Sequence, residues 1–320
     1  MSGKKSLLIA TRSSELALRQ ARQVQAALAR AGVAAELKTF KTAGDKKLDE
    51  PLSAIGGKGL FTKELEVDLA KGVVDCCVHS LKDLPTELPD GLTIGAVLTR
   101  EDPRDVLIVN SVTGATSIAD LPRGSRVGTS SLRRRAQLMA LRDDVDVVAL
   151  RGNVPTRIRK VDDGQVHAAI LAAAGVHRLG VSQRIASYLD APAWLPAAGQ
   201  GAIAVEIRED DDRMRSLLVP LHDVETALQV RAERAFLAAL EGGCQVPIGA
   251  LAQESDGQLT LFGLIADVHG RQIVRGEHPV DEYNPELAGI RLANELRSRG
   301  ATEILESLRR AEQVPAPQPE

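Results

Sequence analysis

The chain has 320 residues, of which 44% are hydrophobic, and its formal net charge at pH 7 is −3. A chain of this length can bury substantial cores and should divide into two or three domains. Aromatic residues make up only 2% of it, so stacking platforms for single-stranded nucleic acid are nearly absent and nucleic acid is not expected as a partner.

No targeting or membrane segment is predicted. The apolar stretch from Leu7 to Ala10 is too short for a signal sequence, and no apolar run approaches the roughly 20 residues of a membrane span. We therefore expect a protein of the cytoplasm that does not bind membranes. No long apolar stripe is left over for a partner, so a monomer is the default expectation.

The first hundred residues alternate between strand and helix patterns. Leu7 to Thr11 is an apolar strand, and Ser13 or Ser14 can cap the helix that follows. Glu36 to Lys41 alternates like a strand, and Thr62 to Leu69 has the pattern of a helix. Such alternation predicts a mainly parallel sheet with helices on both faces.

A predicted strand from Val73 to Cys77 continues into the segment Val78-His79-Ser80-Leu81-Lys82-Asp83-Leu84-Pro85. Pro85 cannot donate to a ladder and disfavours helix for the residue before it, so Lys82 and Asp83 should lie in a loop. In open α/β sheets the carboxyl ends of strands are where ligands bind. The Asp83 carboxylate beside the Lys82 ammonium is therefore a candidate functional group, and the alternative is a solvated strand end with a weak ion pair.

A second alternating region follows a predicted linker, Arg100 to Pro103, and begins with the strand Asp105 to Val109. The apolar run Ala168 to Ala174 belongs to it. We expect the chain to return to the first lobe through the strand Ala202 to Ile207, because two connectors between lobes make a hinged cleft.

The last region has the pattern of a small α+β domain. A helix is predicted from Glu225 to Leu240, three strands lie between residues 248 and 278, and helices are predicted at 285–299 and 301–311. The predicted division is 1–99 with 200–217 for domain 1, 104–194 for domain 2, 222–313 for domain 3 and 314–320 for a disordered tail.

Positive charge is concentrated in the second region. Residues 126–160 hold nine Lys or Arg and three Asp, a local net charge of +6. Arg133, Arg134 and Arg135 fall in the first turn of a helix capped by Thr129, Ser130 or Ser131, where a cation opposes the helix dipole at about 0.3–1 kcal/mol each. An anion should compensate for them.

Arginines stand at two further helix starts. Arg12 precedes the Ser-capped helix, and Arg151 to Arg157 runs off a strand into a helix with Pro155 at its start. Three such helix starts favour one ligand with several anionic groups. The alternative is that these arginines pair with surface acids such as Asp143 and Asp144.

Two glycine-rich segments are also candidates for binding or covalent chemistry. Gly56-Gly57-Lys58-Gly59 lacks the spacing of a nucleotide-binding P-loop, so nucleotide phosphate is not favoured over carboxylate. Cys244 lies between Gly243 and Gln245, where flanking glycine allows exposure and suits a thiol that bonds covalently, although a free cysteine is more often a small buried hydrophobe. Cys76 and Cys77 complete neither a disulfide framework nor a zinc site, so we expect reduced thiols and no metal.

Four motifs together closely resemble the porphobilinogen deaminase (hydroxymethylbilane synthase) family, and the resemblance covers nearly the whole chain in order. They are the segments Val78 to Thr86, Gly128 to Arg134, Leu150 to Asn153 and Glu241 to Pro247. The resemblance implies two lobes like a periplasmic binding protein, with mixed, mainly parallel sheets, and a third domain that bears the cofactor.

The resemblance also implies the chemistry. A dipyrromethane cofactor is held through a thioether at Cys244, and four porphobilinogen molecules are added to it with loss of ammonia, before water releases the linear tetrapyrrole. Asp83 would stabilise positive charge on pyrrole nitrogens and on the azafulvene formed as ammonia leaves. Further residues that match the family's cofactor- and substrate-binding positions are Arg12, Ser14, Lys58, Lys82, Thr129, Ser131, Arg133, Arg134, Arg151, Gly152, Arg157, Arg178 and Gln200.

One alternative of another class is a non-catalytic polycarboxylate-binding protein of the cytoplasm with the same two-lobed fold. Cys244 discriminates between the two, because a binding module has no use for an exposed thiol in a third domain.

Overall fold

The computed structural model describes residues 6–42, 61–240 and 246–313. The predicted glycine-rich loop with Lys58, the segment with Cys244 and the predicted tail 314–320 lie outside the described residues. Within the described residues, no helix is both long and apolar enough to cross a membrane.

The first lobe is built on a five-stranded sheet in the order β2-β1-β3-β10-β4. β1 pairs in parallel with β2 and β3, whereas β10 is antiparallel to both of its neighbours. Four strands therefore point one way and β10 points the other. The strands are β1 (Leu7–Arg12), β2 (Ala35–Phe40), β3 (Cys76–Ser80), β4 (Leu92–Val97) and β10 (Ile203–Arg208).

Three helices pack near this sheet: α1 (Glu15–Arg30), α2 (Lys63–Ala70) and α6 (Asp212–Leu218). Ser14 is the N-cap of α1 and accepts a hydrogen bond from the Ala17 amide, as the sequence allowed. The predicted strand at Val73 begins only at Cys76. Just before the strand, the Asp75 carboxylate accepts a hydrogen bond from the Leu8 amide of β1 at 2.7 Å.

The second lobe repeats this arrangement in the order β7-β6-β8-β5-β9, with β5 antiparallel to β8 and β9. Its strands are β5 (Asp105–Val109), β6 (Arg126–Gly128), β7 (Asp146–Val148), β8 (Ala168–Ala172) and β9 (Ile185–Leu189). Its helices are α3 (Leu132–Leu141), α4 (Val154–Asp162) and α5 (Ala173–Arg178). The apolar run predicted from 168 to 174 is thus split between β8 and α5.

The strand that runs against the others in each lobe is the one that arrives from the other lobe. β5 follows the first connector and β10 follows the second. This confirms that the chain returns to the first lobe, and it confirms mixed, mainly parallel sheets. Each of these strands therefore starts at the end of its sheet where the parallel strands have their carboxyl ends, so both connectors lie at that end.

The third unit is an antiparallel meander of β11 (Ile248–Ser255), β12 (Gln258–Ala266) and β13 (Ile273–Pro279). It packs with α7 (Val224–Ala239), α8 (Pro285–Leu296) and α9 (Thr302–Gln313) around a core that includes Phe236, Leu261 and Leu292. α7 and α8 approach so closely that a Cβ at Gly289 would lie 2.4 Å from the Phe236 backbone nitrogen. An α+β third domain is confirmed, while the numbered domain boundaries stay a prediction.

Candidate active site between the lobes

A cavity of about 350 Å³ lies between the two lobes. Residues that line it lie at or just beyond the carboxyl ends of strands in both sheets: Arg12 is the last residue of β1, Lys82 and Asp83 follow β3, Ser130 follows β6, and Arg151 follows β7. Strand carboxyl ends of both lobes therefore meet at one place, as expected for ligand sites in α/β folds.

Asp83 is the one carboxylate among the described residues that line the cavity. It ends a short 3-10 turn, Leu81–Asp83, that follows β3. Its side chain remains 32% exposed, and Oδ2 lies 3.8 Å from Arg12 Nη1. The carboxylate is therefore held near a cation but is open to a ligand.

Lys82 adjoins Asp83 and also lines the cavity. Burial lowers the pKa of Lys82 to about 8; the positive charge of Arg134 adds to this effect, whereas Asp83 opposes it. Its ammonium donates a hydrogen bond to Gln200 Oε1 at 3.1 Å. Lys82 therefore loses its positive charge at a lower pH than an ordinary lysine does.

Cationic side chains dominate the described lining of the cavity. They come from both lobes and are Arg12, Lys82, Arg134, Arg151, Arg157 and Arg178. Burial, together with the positive charges of Arg134 and Arg151, lowers the pKa of Arg157 to about 10, although Asp83 opposes this effect. Six cations around one carboxylate favour a ligand that carries several negative charges.

Arg133 differs from its neighbour Arg134, although both were expected to bind a ligand. The Arg133 guanidinium donates to Asp105 Oδ2 and to the Leu195 carbonyl, each at 2.7 Å, and Arg133 does not line the cavity. Arg134 donates to Asp105 Oδ1 at 2.7 Å yet reaches the cavity. The anion next to Arg133 in the structure is therefore the carboxylate of Asp105, and its expected contact with the cofactor stays a prediction.

Asp105 is the centre of this buried network. Burial opposes its ionisation, but Arg133 and Arg134 outweigh that effect and hold the pKa of its carboxyl well below the usual range. Trp194 Nε1 also donates to Oδ2 at 2.8 Å, and Gln200 Nε2 donates to Oδ1 at 2.8 Å. The network joins the first residue of β5 to the connector that leads back to β10.

The remaining predicted residues that the structure describes fall into two groups. Ser14, Gly152 and Arg178 line the cavity. Three others support the residues around it: Thr129 accepts the Ser131 amide, Ser131 caps α3, and Gln200 holds both Lys82 and Asp105. Cys244 and Lys58 cannot be placed, because they lie outside the described residues.

Several residues of the site were not predicted. Phe61 lies under the Arg12 guanidinium, with 4.3 Å from Cζ to the ring centroid, and Gln20 donates to Ser80 Oγ at 2.8 Å. His79 Nε2 lies 3.0 Å from the buried carboxylate of Glu206, and His79 also lines the cavity. The apolar spacing of α1 indicates that Gln20 is buried. No sequence signal predicts the pairing of His79 with Glu206, which lie 127 positions apart.

One polar atom indicates that the cavity is shaped for a ligand. Arg134 Nε is buried and has no hydrogen-bond partner among the described residues. A buried donor of this kind is costly unless something accepts from it. A bound group that carries carboxylates, such as a dipyrromethane, fits this donor and the surrounding cations.

The fold and the cavity together define a two-lobed protein that binds a polycarboxylate beside a strand-end carboxylate. The family model described as "Porphobilinogen deaminase, dipyromethane cofactor binding domain" matches residues 7–216, and the one for the C-terminal domain matches residues 227–298. The chain therefore belongs to the porphobilinogen deaminase family. It is a transferase of tetrapyrrole biosynthesis with a dipyrromethane cofactor, so the non-catalytic alternative is not favoured.

Individual relatives agree with this assignment. The porphobilinogen deaminase of Syntrophobacter fumaroxidans is 50% identical over 95% of this chain and 98% of its own length. That of Moorella thermoacetica is 51% identical over 94% of this chain and 96% of its own. Among solved structures, a putative methionine-binding lipoprotein from Bacillus subtilis covers 70% of this chain and 93% of its own, with 12% identity and a TM-score of 0.42.

Proposed function

We propose that Asp83 is the catalytic carboxylate for the head-to-tail joining of four porphobilinogen molecules, with loss of ammonia at each step. The observation that carries this role is its position as the one carboxylate among the described lining residues of a cationic cavity. When bound, the dipyrromethane supplies the pyrrole end to which substrate becomes joined. Hydrolysis then releases hydroxymethylbilane.

Asp83 would act by electrostatics. The protonated amine of the substrate departs as ammonia, so its positive charge passes to the pyrrole, and a carboxylate fixed nearby stabilises that charge most strongly in a site from which water is largely excluded. The 3.8 Å separation from Arg12 leaves Asp83 Oδ1 and Oδ2 available to a second cation. A closer, bidentate ion pair would have neutralised the charge that the reaction needs.

The cations would hold the acetate and propionate groups of cofactor and substrate. Arg134 is positioned by Asp105, and Arg157 by its own hydrogen bond from Nε to the Gly152 carbonyl at 2.7 Å. Lys82 is positioned by Gln200. Each of these groups is held by the protein before a ligand arrives, which lowers the ordering cost of binding.

Cys244 is proposed as the covalent attachment point of the cofactor. The other two cysteines are fully buried, and burial raises the pKa of Cys76 to about 12, so neither suits a thiolate that reacts. We also propose the domain division predicted from the sequence and a monomer in the cytoplasm that acts without nucleic acid or membrane.

Intact mass tests the attachment. The purified chain should be heavier than its sequence by two linked pyrroles, the Cys244→Ser variant should not, and the matched Cys76→Ser variant should keep the added mass. Added mass that persists in Cys244→Ser would place the attachment elsewhere. A wild-type chain with no added mass, after expression in cells that make porphyrins, would contradict the proposed function.

A further inference from the structure

The cavity between the lobes is small for the reaction assigned to it. Its volume of about 350 Å³ lies near the lower end for a pocket that encloses one drug-sized ligand. The proposed reaction ends with two cofactor pyrroles and four substrate pyrroles in one chain, with two carboxylates on each. Part of that chain must therefore lie outside the cavity while it is still attached.

Helix α1 forms a wall between the cavity and a second, open depression. One side of the helix presents Ser14, Ala17 and Gln20 to the cavity. The adjoining side contributes to the outer depression, which we define by its lining residues, Glu15, Arg19, Arg22, Gln23 and Arg178. Arg178 lines both spaces, so the two adjoin at this arginine.

The outer depression is cationic, with three arginines and one carboxylate in its described lining. Arg19 and Arg22 are exposed and follow Glu15 by four and seven residues, so all three share one face of α1. Arg19 Nη2 lies 3.2 Å from Glu15 Oε1, and such an exposed pair contributes little stability. An incoming carboxylate can replace Glu15 at small cost.

Arg178 is held more firmly than the two exposed arginines. Its Nη2 donates to the Gly201 carbonyl at 2.8 Å, in the connector between the lobes. Burial lowers its pKa, although the neighbouring Glu101 opposes this effect. It ends α5 of the second lobe, which packs against α1 of the first, so the outer depression bridges the two lobes at their rim.

We propose that the outer depression binds the carboxylates of the growing pyrrole chain that the cavity cannot hold. Arg178 takes the first displaced unit, and Arg19 and Arg22 take the acetate and propionate groups beyond it. This role rests on the proposed function and concerns binding, not catalysis. It predicts that early additions do not need Arg19 and Arg22, whereas late additions do.

The first test compares the Arg19→Gln/Arg22→Gln double variant with Arg30→Gln, which removes an exposed charge from the far end of the same helix. Holoenzymes are mixed with porphobilinogen, quenched at timed intervals and weighed by intact-mass spectrometry. The double variant should add the first substrate at the wild-type rate and add the third and fourth several-fold more slowly, so that the preceding species accumulate. Arg30→Gln should match wild type throughout.

The second test measures whether the bound pyrrole chain covers Arg19 and Arg22, rather than how fast the enzyme turns over. Wild-type holoenzyme and its late intermediates, isolated in the native state, are treated with phenylglyoxal, which modifies accessible arginines, and the labelled peptides are quantified. Arg19 and Arg22 should be several-fold less reactive in the late intermediates than in the holoenzyme, while Arg30 stays unchanged. Equal reactivity at Arg19 and Arg22, or four additions at wild-type rates in the double variant, would overturn the role of the outer depression.

The two proposals fail in different ways. If wild-type holoenzyme gains no substrate mass at all, the proposed function fails and the outer depression fails with it. If wild type gains four units and neither test separates Arg19 and Arg22 from Arg30, the outer depression alone is rejected.

Discussion

The two lobes share one sheet topology and both contribute cations to the site between them, but within the described residues only the first contributes a carboxylate. The first lobe supplies Asp83 at the end of β3, whereas the second supplies Arg134, Arg151 and Arg157 from helix starts that follow β6 and β7. Similar strand ends therefore carry different chemistry, because the loops after them differ. The fold fixes where the site lies, and the loop residues decide what it binds.

Two aspartates make the same contrast at atomic level. Asp105 is fully buried and accepts hydrogen bonds from two arginines, Trp194 and Gln200. Its negative charge is therefore balanced by protein groups around the connectors. Asp83 faces one guanidinium at 3.8 Å and remains partly exposed. The difference predicts a structural role for the first and a chemical role for the second.

The largest expected effect is on stability. Asp105→Ala removes the shared partner of two buried guanidinium groups, and breaking a buried ion pair in this way costs about 3–5 kcal/mol. Urea unfolding of the variant should show that loss, whereas Asp143→Ala, which removes an exposed carboxylate of the same lobe, should change the free energy of unfolding by less than about 0.5 kcal/mol. Equal stability of the two variants would contradict the structural role of Asp105.

Asp83→Asn should leave the fold intact and remove the charge that the reaction needs. Loss of one preorganised electrostatic contact lowers kcat by about 10²–10³-fold, and we expect at least that loss here. Steady-state kinetics and thermal unfolding measure the two effects separately. The matched variant Asp90→Asn, in the exposed segment after Asp83, should keep wild-type kcat, and similar turnover in both variants would remove Asp83 from the mechanism.

Arg133 and Arg134 offer a comparison between adjacent residues. Arg134→Gln should lower kcat/KM by tenfold or more, because hydrogen bonds to charged groups contribute about 1.5–3 kcal/mol. Arg133→Gln should reduce the free energy of unfolding but leave KM within about twofold of wild type, since its guanidinium lies on Asp105 and outside the cavity. A larger rise of KM in Arg133→Gln than in Arg134→Gln would contradict this assignment.

The smallest effect concerns the alkaline limb of the pH profile. With a pKa of about 8 in the folded chain, Lys82 loses its charge as the pH rises through that value, so substrate binding should weaken above it. Lys82→Arg keeps the charge and should move the limb of kcat/KM to higher pH. An unchanged limb in Lys82→Arg would show that another group controls it.

The lowered pKa of Lys82 also makes stability depend on pH, and in the opposite direction from a lysine whose pKa is raised by pairing with an acid. Because folding lowers the pKa of Lys82 from 10.5, the unfolded chain binds more protons between the two values, and stability rises with pH across that interval. Lys82 therefore costs stability below pH 8. Lys82→Met should relieve that cost near neutral pH, and chemical unfolding at pH values on both sides of 8 measures it.

Local features were predictable from the sequence, and long-range pairings were not. The Ser14 cap, the loop with Lys82 and Asp83, and the return of the chain into β10 follow from residue types and spacing. The partner of Arg133 lies 28 positions away in what was interpreted as the start of a second lobe. No periodicity shows that Asp105 points inward.

The arginines illustrate the same limit. Three consecutive arginines at a helix start indicate a need for negative charge, but they cannot indicate its source. In the structure Arg133 is satisfied by Asp105, Arg134 is shared between Asp105 and the cavity, and Arg135 donates to the Val268 and Val147 carbonyls. Successive residues of a helix point about 100° apart, so neighbours in sequence reach different surroundings.

The most direct test of the central role of Asp83 is the intact mass of wild-type and Asp83→Asn holoenzymes after timed mixing with porphobilinogen. Both should first carry the mass of the cofactor, which shows that the variant is folded and loaded. Wild type should then pass through species that are heavier by successive substrate units, while Asp83→Asn should remain at the starting mass on the same timescale. Addition of the first unit to Asp83→Asn at the wild-type rate would contradict the account.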